Sequence, residues 1–336
     1  MKRLTPARVG LALAGLGALL LLALAVAAAS GPSALSAGEV LAVLNGDDAA
    51  GAAADIVWRV RVPRAVLAAL VGASLAVSGV LFQALLRNPL ADPFVLGVSG
   101  GAAVGGIAAL ALGVGYAAVP PAAFAGAVLT TVVLYAVAGV GGRVSGTHLL
   151  LTGVVFNAFA SAAIVFLASL AGLTEGASIF LWLIGSLSAA RIDIAGFVAL
   201  FLAGGVVAAW ASARNLNLLA LGEESAQQLG VDVARQQRVL LVSTSLMVGA
   251  AVAVAGLVGF VGLIIPHLLR LALGPDHRLL VPASALGGAA FLVLCDTLAR
   301  TLLGGRELPV GAITALAGGP LFLYLLRRHH ARVLGP

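Results

Sequence analysis

The chain has a single cysteine and a single lysine among its 336 residues. Cys295 has no partner with which to form a disulfide or a thiolate metal cluster within the chain, and its apolar surroundings suit a structural thiol better than a reactive one. The lysine is Lys2, whereas a Walker A loop needs Gly-x-x-x-x-Gly-Lys-Ser/Thr, so the chain cannot bind ATP through one. If ATP drives the protein, the ATPase is a separate polypeptide that carries the ATP and Mg, and no cofactor is expected on this chain. Charge is scarce as well. Only 10% of residues are Asp, Glu, Lys or Arg, where a soluble domain carries about a quarter, and aromatics make up only 5%. The five histidines show no metal-ligand spacing, with His329 and His330 part of a basic tail. Nothing resembles a nucleophile beside its base, so an intramembrane enzyme is not expected.

What is abundant is apolar. Hydrophobic residues reach 61%, glycine 43 residues, and the mean hydropathy +1.13. The glycines lie inside Leu/Val/Ala runs, where small side chains let transmembrane helices approach closely. Stretches without a charged residue run 9–29, 65–86, 93–142, 144–174, 194–213, 239–269, 279–295 and 308–326. The first follows Lys2, Arg3 and Arg8 and could mimic a signal peptide, but its length favours a retained helix. The 93–142 run is too long for one crossing and turns at 113–121 (GVGYAAVPP). The 239–269 run holds a full helix and a shorter one, with Pro266 near its end, and 176–190 reads as an interfacial helix. The tally is nine or ten. Arginines cluster at both ends of the chain, at Arg3 and Arg8 and again at Arg327, Arg328 and Arg332, which puts both termini in the cytoplasm. Two inside ends require an even number, so the sequence predicts an all-α integral membrane protein of about ten transmembrane helices.

That topology leaves Arg59, Arg61, Arg64, Arg191, Arg300 and Arg306 outside, against the insertion bias. Singly, each is explained by snorkelling to lipid headgroups; together they suggest a docking surface for an acidic partner. The net charge of +6 sits in the gaps between apolar runs, as topology determinants do, and does not point to nucleic acid. An internal repeat supports transport. Residues 71–79 (VGASLAVSG) match 248–256 (VGAAVAVAG) at six of nine positions, and the same offset of 177 pairs Pro89 with Pro266 and Arg61 with Arg238. The copies run in opposite directions across the membrane, an inverted repeat with halves near 61–170 and 238–328 of a single permease domain. The cytoplasmic insertion 214–237 reads as two short helices broken at Gly230, with Glu223 and Glu224 suited to a first turn. Leu218, Leu219, Leu221 and Leu229 are too apolar for free solution and suggest a surface covered by a partner. An ion-coupled secondary transporter is the rival reading, although Asp296, Glu175, His148 and His267 lie near run ends rather than at the midplane. A membrane scaffold or sensor is a third, disfavoured by the repeat.

Four stretches carry a resemblance: 61–102 (RVPRAVLAALVGASLAVSGVLFQALLRNPLADPFVLGVSGGA), 216–231 (LNLLALGEESAQQLGV), 259–271 (GFVGLIIPHLLRL) and 307–322 (ELPVGAITALAGGPLF). They resemble the FecCD-type permeases, the type II membrane subunits of binding-protein-dependent ABC importers for iron–siderophores, haem and vitamin B12. The resemblance implies ten helices, a homodimer or pseudo-dimer, two ATPase subunits on the cytoplasmic face and a periplasmic binding protein on the outer face, all in the bacterial inner membrane. It implies docking arginines at Arg61, Arg64 and Arg300, and ATPase coupling through Leu219, Leu221, Gly222, Glu223 and Glu224. It places the inner gate at Asn88 and Leu90 opposite Ser145 and Thr147. The translocation pathway is expected along 152–160 and 311–320, with Thr152, Asn157, Gly311 and Thr314 as lining residues.

Overall fold

A computed structural model describes residues 5–33, 35–46, 51–140, 143–144, 146–188, 192–303 and 307–333. The chain opens with α1 (Pro6–Ala29), whose first turn is capped by Thr5 accepting from the Arg8 amide. The short helices α2 (Ala37–Leu44) and α3 (Gly51–Ile56) follow, and a π turn (Val57–Arg61) leads into α4 (Val62–Leu85). Next come a 3-10 turn (Pro93–Leu96), α5 (Val98–Ala111), a second such turn (Tyr116–Ala118) and α6 (Val119–Ala138). The two-residue strands β1 (Gly139–Val140) and β2 (Arg143–Val144) pair antiparallel before α7 (Gly146–Ile184) and α8 (Ile192–Ala211). The chain closes with α9 (Ala213–Leu219), α10 (Glu223–Gln228), α11 (Val233–Ala255), α12 (Val261–Leu273), α13 (His277–Thr301) and α14 (Val310–Val333).

Among the described residues seven helices are long and apolar enough to cross a membrane, and three shorter apolar helices (α5, α12 and the apolar part of α14) bring the set to ten. The long 93–142 run breaks at 112–118, as its glycines and prolines predict. The 239–269 run divides into a full helix and a shorter one, as its length predicts, with the break at 256–260 and Pro266 inside α12. Gly256 has φ +67 and ends α11, a conformation that costs glycine nothing. Two other boundaries differ from the sequence expectation. The insertion 214–237 breaks at Gly222 (φ +112), whereas Gly230 separates α10 from α11. No separate interfacial helix spans 176–190: helix continues from α7 as far as Ile184. Still, α7 is not straight. Gly153 packs on Leu96 and Trp182 packs on Gly106, so the short segment 96–106 faces a stretch of α7 that would extend about 43 Å if unbent.

Central and peripheral helices are sharply different. In α4, 83% of the apolar window is buried within the chain and in α13 72%, against 6% for α1 and for α7. Burial from lipid gains nothing for leucine, so the centre is built on close backbone approach at small residues. A Cβ on Gly72 would lie 2.3 Å from the Gly288 carbonyl oxygen, joining α4 to α13, and one on Gly79 would lie 1.8 Å from that of Gly262, joining α4 to α12.

The repeat segments sit in α4 (71–79) and at the end of α11 (248–256). Their equivalence stops there, because α4 continues to Leu85 while α11 stops at Ala255. Each is nevertheless followed by irregular backbone and then a short helix, α5 of 14 residues and α12 of 13. The first irregular segment meets the start of α12: Gly262 packs against the Leu75 carbonyl, halfway along α4, and against the Pro93 ring. Such backbone is tolerated at membrane depth only when it is enclosed by protein, as here.

Candidate functional site

The polar contacts gather at the two ends of the bundle. One end, the rim, joins the C-termini of α1 and α13 to the N-termini of α4 and α14. Arg64 Nε lies 3.0 and 3.1 Å from the two oxygens of Asp296, and its Nη1 donates to Glu307 Oε2 at 2.8 Å. Asp296 also pairs with Arg300, one turn on, at 3.1 Å. Arg61 donates to the carbonyls of Ala28 and Ala29 at 2.9 and 2.8 Å and to both oxygens of Ser33. Arg300 reaches the carbonyls of Ser30 and Ala27. The last carbonyls of α1, orphaned by the helix end, are thus satisfied by two guanidinium groups, which also suit the negative end of the helix dipole.

Arg61, Arg64 and Arg300 are only 2–5% exposed. The sequence pattern anticipates an exposed cationic surface. In the fold these three are internal: Arg64 and Arg300 pair with carboxylates, and Arg61 is held by helix-end carbonyls and Ser33. Arg59, by contrast, is exposed and pairs with Asp55 four residues before it. Arg191 and Arg306 lie outside the described residues. Sequence reading missed Asp296 and Glu307 as partners, though the i,i+4 spacing of Asp296 and Arg300 inside an apolar run was a usable signal.

The residues expected along a pathway and at a gate make contacts within the chain. Asn157 Nδ2 donates to the carbonyls of Phe94 and Val95 at 3.0 and 3.3 Å, in the partly buried 3-10 turn that leads into α5. Thr314 is fully buried, and its hydroxyl donates to the Gly311 carbonyl one turn back. Gly311 abuts the end of α7, where a Cβ would fall 1.8 Å from the Ile184 carbonyl oxygen. Its smallness therefore serves helix packing. Thr152 is half-buried on α7. In the gate loop Asn88 Oδ1 accepts from the Leu90 amide, shaping its own turn. Asn88 and Thr147 are exposed and Leu90 half-buried, while Gly146 lies beside Leu86, so the two gate segments are neighbours. Ser145 lies outside the described residues.

The opposite end, the loop end, carries the polar insertion. Glu223, in the first turn of α10, pairs with Arg87 at 3.2 Å, just past the end of α4. Arg87 holds φ +51, a left-handed conformation uncommon for a side-chain-bearing residue. Glu224 is exposed. Leu219 is buried within the chain at 4%, whereas Leu221 and Leu229 are 66% and 58% exposed, so the apolar surface open to a partner is narrower than the leucine pattern predicts. Arg8, at the start of α1, donates to the Leu273 carbonyl at the end of α12. Thus α1 begins at the loop end, and α14 begins at the rim and runs away from it, which puts both terminal helices' outer ends on one side. Among the described residues no three His, Cys, Asp or Glu side chains come together as metal ligands.

A family model described as the FecCD transport family matches residues 19–328. The chain belongs to the FecCD transport family. It is 48% identical over 281 residues to the cobalamin import system permease protein BtuC of Halobacterium salinarum, covering 83% of this chain and 75% of that one. It is 40% identical over 296 residues to the hemin transport system permease protein HmuU of Yersinia pestis, covering 84% and 87%. With the vitamin B12 import system permease protein BtuC of Escherichia coli O6:K15:H31 it shares 42% identity over 297 residues, covering 87% and 89%. A solved metal-chelate type ABC transporter in an inward-facing conformation superposes with TM-score 0.82 at 32% identity, covering 95% of this chain and 99% of that one. The FecCD membership and the ten apolar helices make the chain a membrane-spanning transport permease.

Proposed function

We propose that this permease is the membrane half of an ATP-driven importer that carries an iron chelate (ferric siderophore or haem) or cobalamin into the cytoplasm. The observation that carries the reading is the family match across residues 19–328, with relatives named for cobalamin and hemin. Two copies of the chain would enclose the pathway, two separate ATPase subunits would bind the loop end, and a substrate-binding protein would dock on the rim. The loop end is cytoplasmic in this reading. Its arginines Arg87, Arg235 and Arg278 are exposed, as cytoplasmic topology determinants are, while Arg61, Arg64 and Arg300 at the rim are consumed internally.

The mechanism is alternating access. ATP binding closes the paired ATPases, displaces α9 and α10, and exchanges an outward for an inward opening. Leu221, Leu229 and Glu224 are the exposed groups that a groove on the ATPase would cover. Arg61, Arg64 and Arg300 serve docking by fixing the rim's shape, and an acidic residue of the binding protein reaches Arg64 only by taking the place of Glu307. Ion coupling through Asp296 is disfavoured, because both its oxygens are taken by arginines.

Reconstitution with an ATPase and a binding protein in liposomes tests this. Uptake should require ATP inside and persist with an ionophore; uptake that needs no ATPase and collapses with the ionophore would refute the proposal.

A further inference from the structure

The loop end holds a second grip that the family resemblance did not assign. Asn217, on α9, reaches the turn between α12 and α13. Its Nδ2 donates to Asp276 Oδ1 at 2.9 Å. Its Oδ1 accepts from the His277 amide at 3.0 Å and lies 2.7 Å from His277 Nδ1. Asp276 is also the N-cap of α13, accepting from the Arg278 amide. One amide side chain therefore clasps both the cap and the first residue of a helix 25 residues long, which spans about 38 Å.

This clasp closes a circuit. α10 grips the end of α4 through Glu223 and Arg87, and α9 grips the start of α13 through Asn217. Helices α4 and α13 touch backbone to backbone at Gly72 and Gly288, where neither could carry a side chain. At the far end Arg64 and Asp296 pin them together again. Two stiff, mutually packed helices tied at both ends can only move as one body. We infer that Asn217 is a positioning residue for energy coupling: it delivers displacement of the α9–α10 segment to the α4–α13 pair and through it to the rim. Leu216 and Leu219, both buried, seat α9 on the bundle, and Asn217 sets where that seat bears on α13. A neighbouring amide contact, Asn215 Nδ2 to Gln236 Oε1 at 3.1 Å, ties α9 to α11 rather than to α4 or α13, and so lies outside the circuit.

The inference rests on the proposed ATP-driven import, and the test separates the two. Asn217→Ala and Asn217→Asp are reconstituted as full complexes with ATPase and binding protein, beside the wild type and Asn215→Ala, and uptake and ATP hydrolysis are measured together. Asn217→Ala removes the clasp, and Asn217→Asp sets a carboxylate against Asp276. Both should lower substrate moved per ATP about fivefold, with hydrolysis and melting temperature kept, while Asn215→Ala keeps the wild-type ratio. A wild-type ratio in both Asn217 variants would overturn the inference alone, as would an equal fall in Asn215→Ala. No ATP-dependent uptake by the wild type would overturn the parent proposal and this inference with it.

Discussion

The rim and the loop end use the same residue types to opposite ends. At the rim, Arg64 and Asp296 are 6% and 1% exposed in their side chains, and the Arg64 guanidinium is held by both Asp296 and Glu307. At the loop end, Arg87 and Glu223 are 49% and 32% exposed, and Leu221 and Leu229, on either side of the helix they anchor, are bare. A buried pair loses heavily when one partner goes, because the other is left as an uncompensated charge; an exposed pair loses little. The rim is thus built to hold shape, and the loop end to be handled by something else.

That contrast can be broken most forcefully at Asp296. Asp296→Ala leaves Arg64 and Arg300 facing each other without their shared carboxylate, and should cost about 3–5 kcal/mol, read as a large fall in melting temperature of the purified permease. The same reasoning makes charge reversal of Arg61 and Arg64 a folding lesion before it is a docking lesion. A melting temperature unchanged in Asp296→Ala would contradict the rim as a lock. Next in size is Gly79→Ala. The added methyl would meet the Gly262 backbone, which cannot swing aside, and should cost roughly 1–3 kcal/mol or more by overpacking, measured the same way.

At the loop end the expected stability effects shrink while functional effects remain. Glu223→Gln should change stability by less than about 1 kcal/mol, since its pair with Arg87 is half-exposed. It should nevertheless lower uptake per ATP in the reconstituted complex. Unaltered coupling would remove the loop end's assigned role. The smallest effect is one of pH. The hydrogen bond from Arg278 holds the Asp276 carboxyl down to about 2, with Asn217 adding to it. A depressed carboxylate contributes stability above its unfolded pKa of about 3.9 and loses it as pH falls through the folded value. Asp276→Asn should therefore differ from wild type by a constant amount between pH 5 and 8, with the gap closing only below about pH 4. A difference that changes across neutral pH would contradict the pairing.

Much of this was legible in the residues. Uncharged runs gave the ten apolar helices, and the glycines and prolines of 113–121 gave the turn between α5 and α6. What failed was anything decided by a distant partner. Arg61, Arg64 and Arg300 look exposed in sequence because Asp296 and Glu307 are more than two hundred residues from Arg64, and no local pattern reveals that they meet. Asn157 and Gly311 are expected as lining, and small and amide side chains suit both a pore and a tight contact; the fold adds contacts that no local pattern reveals, Asn157 with the 3-10 turn before α5 and Gly311 with the end of α7. Asn217 went unnoticed for the same reason, since its partners lie on the far side of α11 and α12 in sequence.

The assignment of sides is the claim on which docking, coupling and the direction of transport all depend. Single cysteines at Val114, exposed between α5 and α6, and at Gln228, exposed at the end of α10, can be placed in a Cys295→Ser chain and treated with a membrane-impermeant thiol reagent in intact cells. The account predicts labelling at 114 from outside, and at 228 only after the membrane is opened. Labelling at 228 in intact cells, with 114 protected, would contradict it.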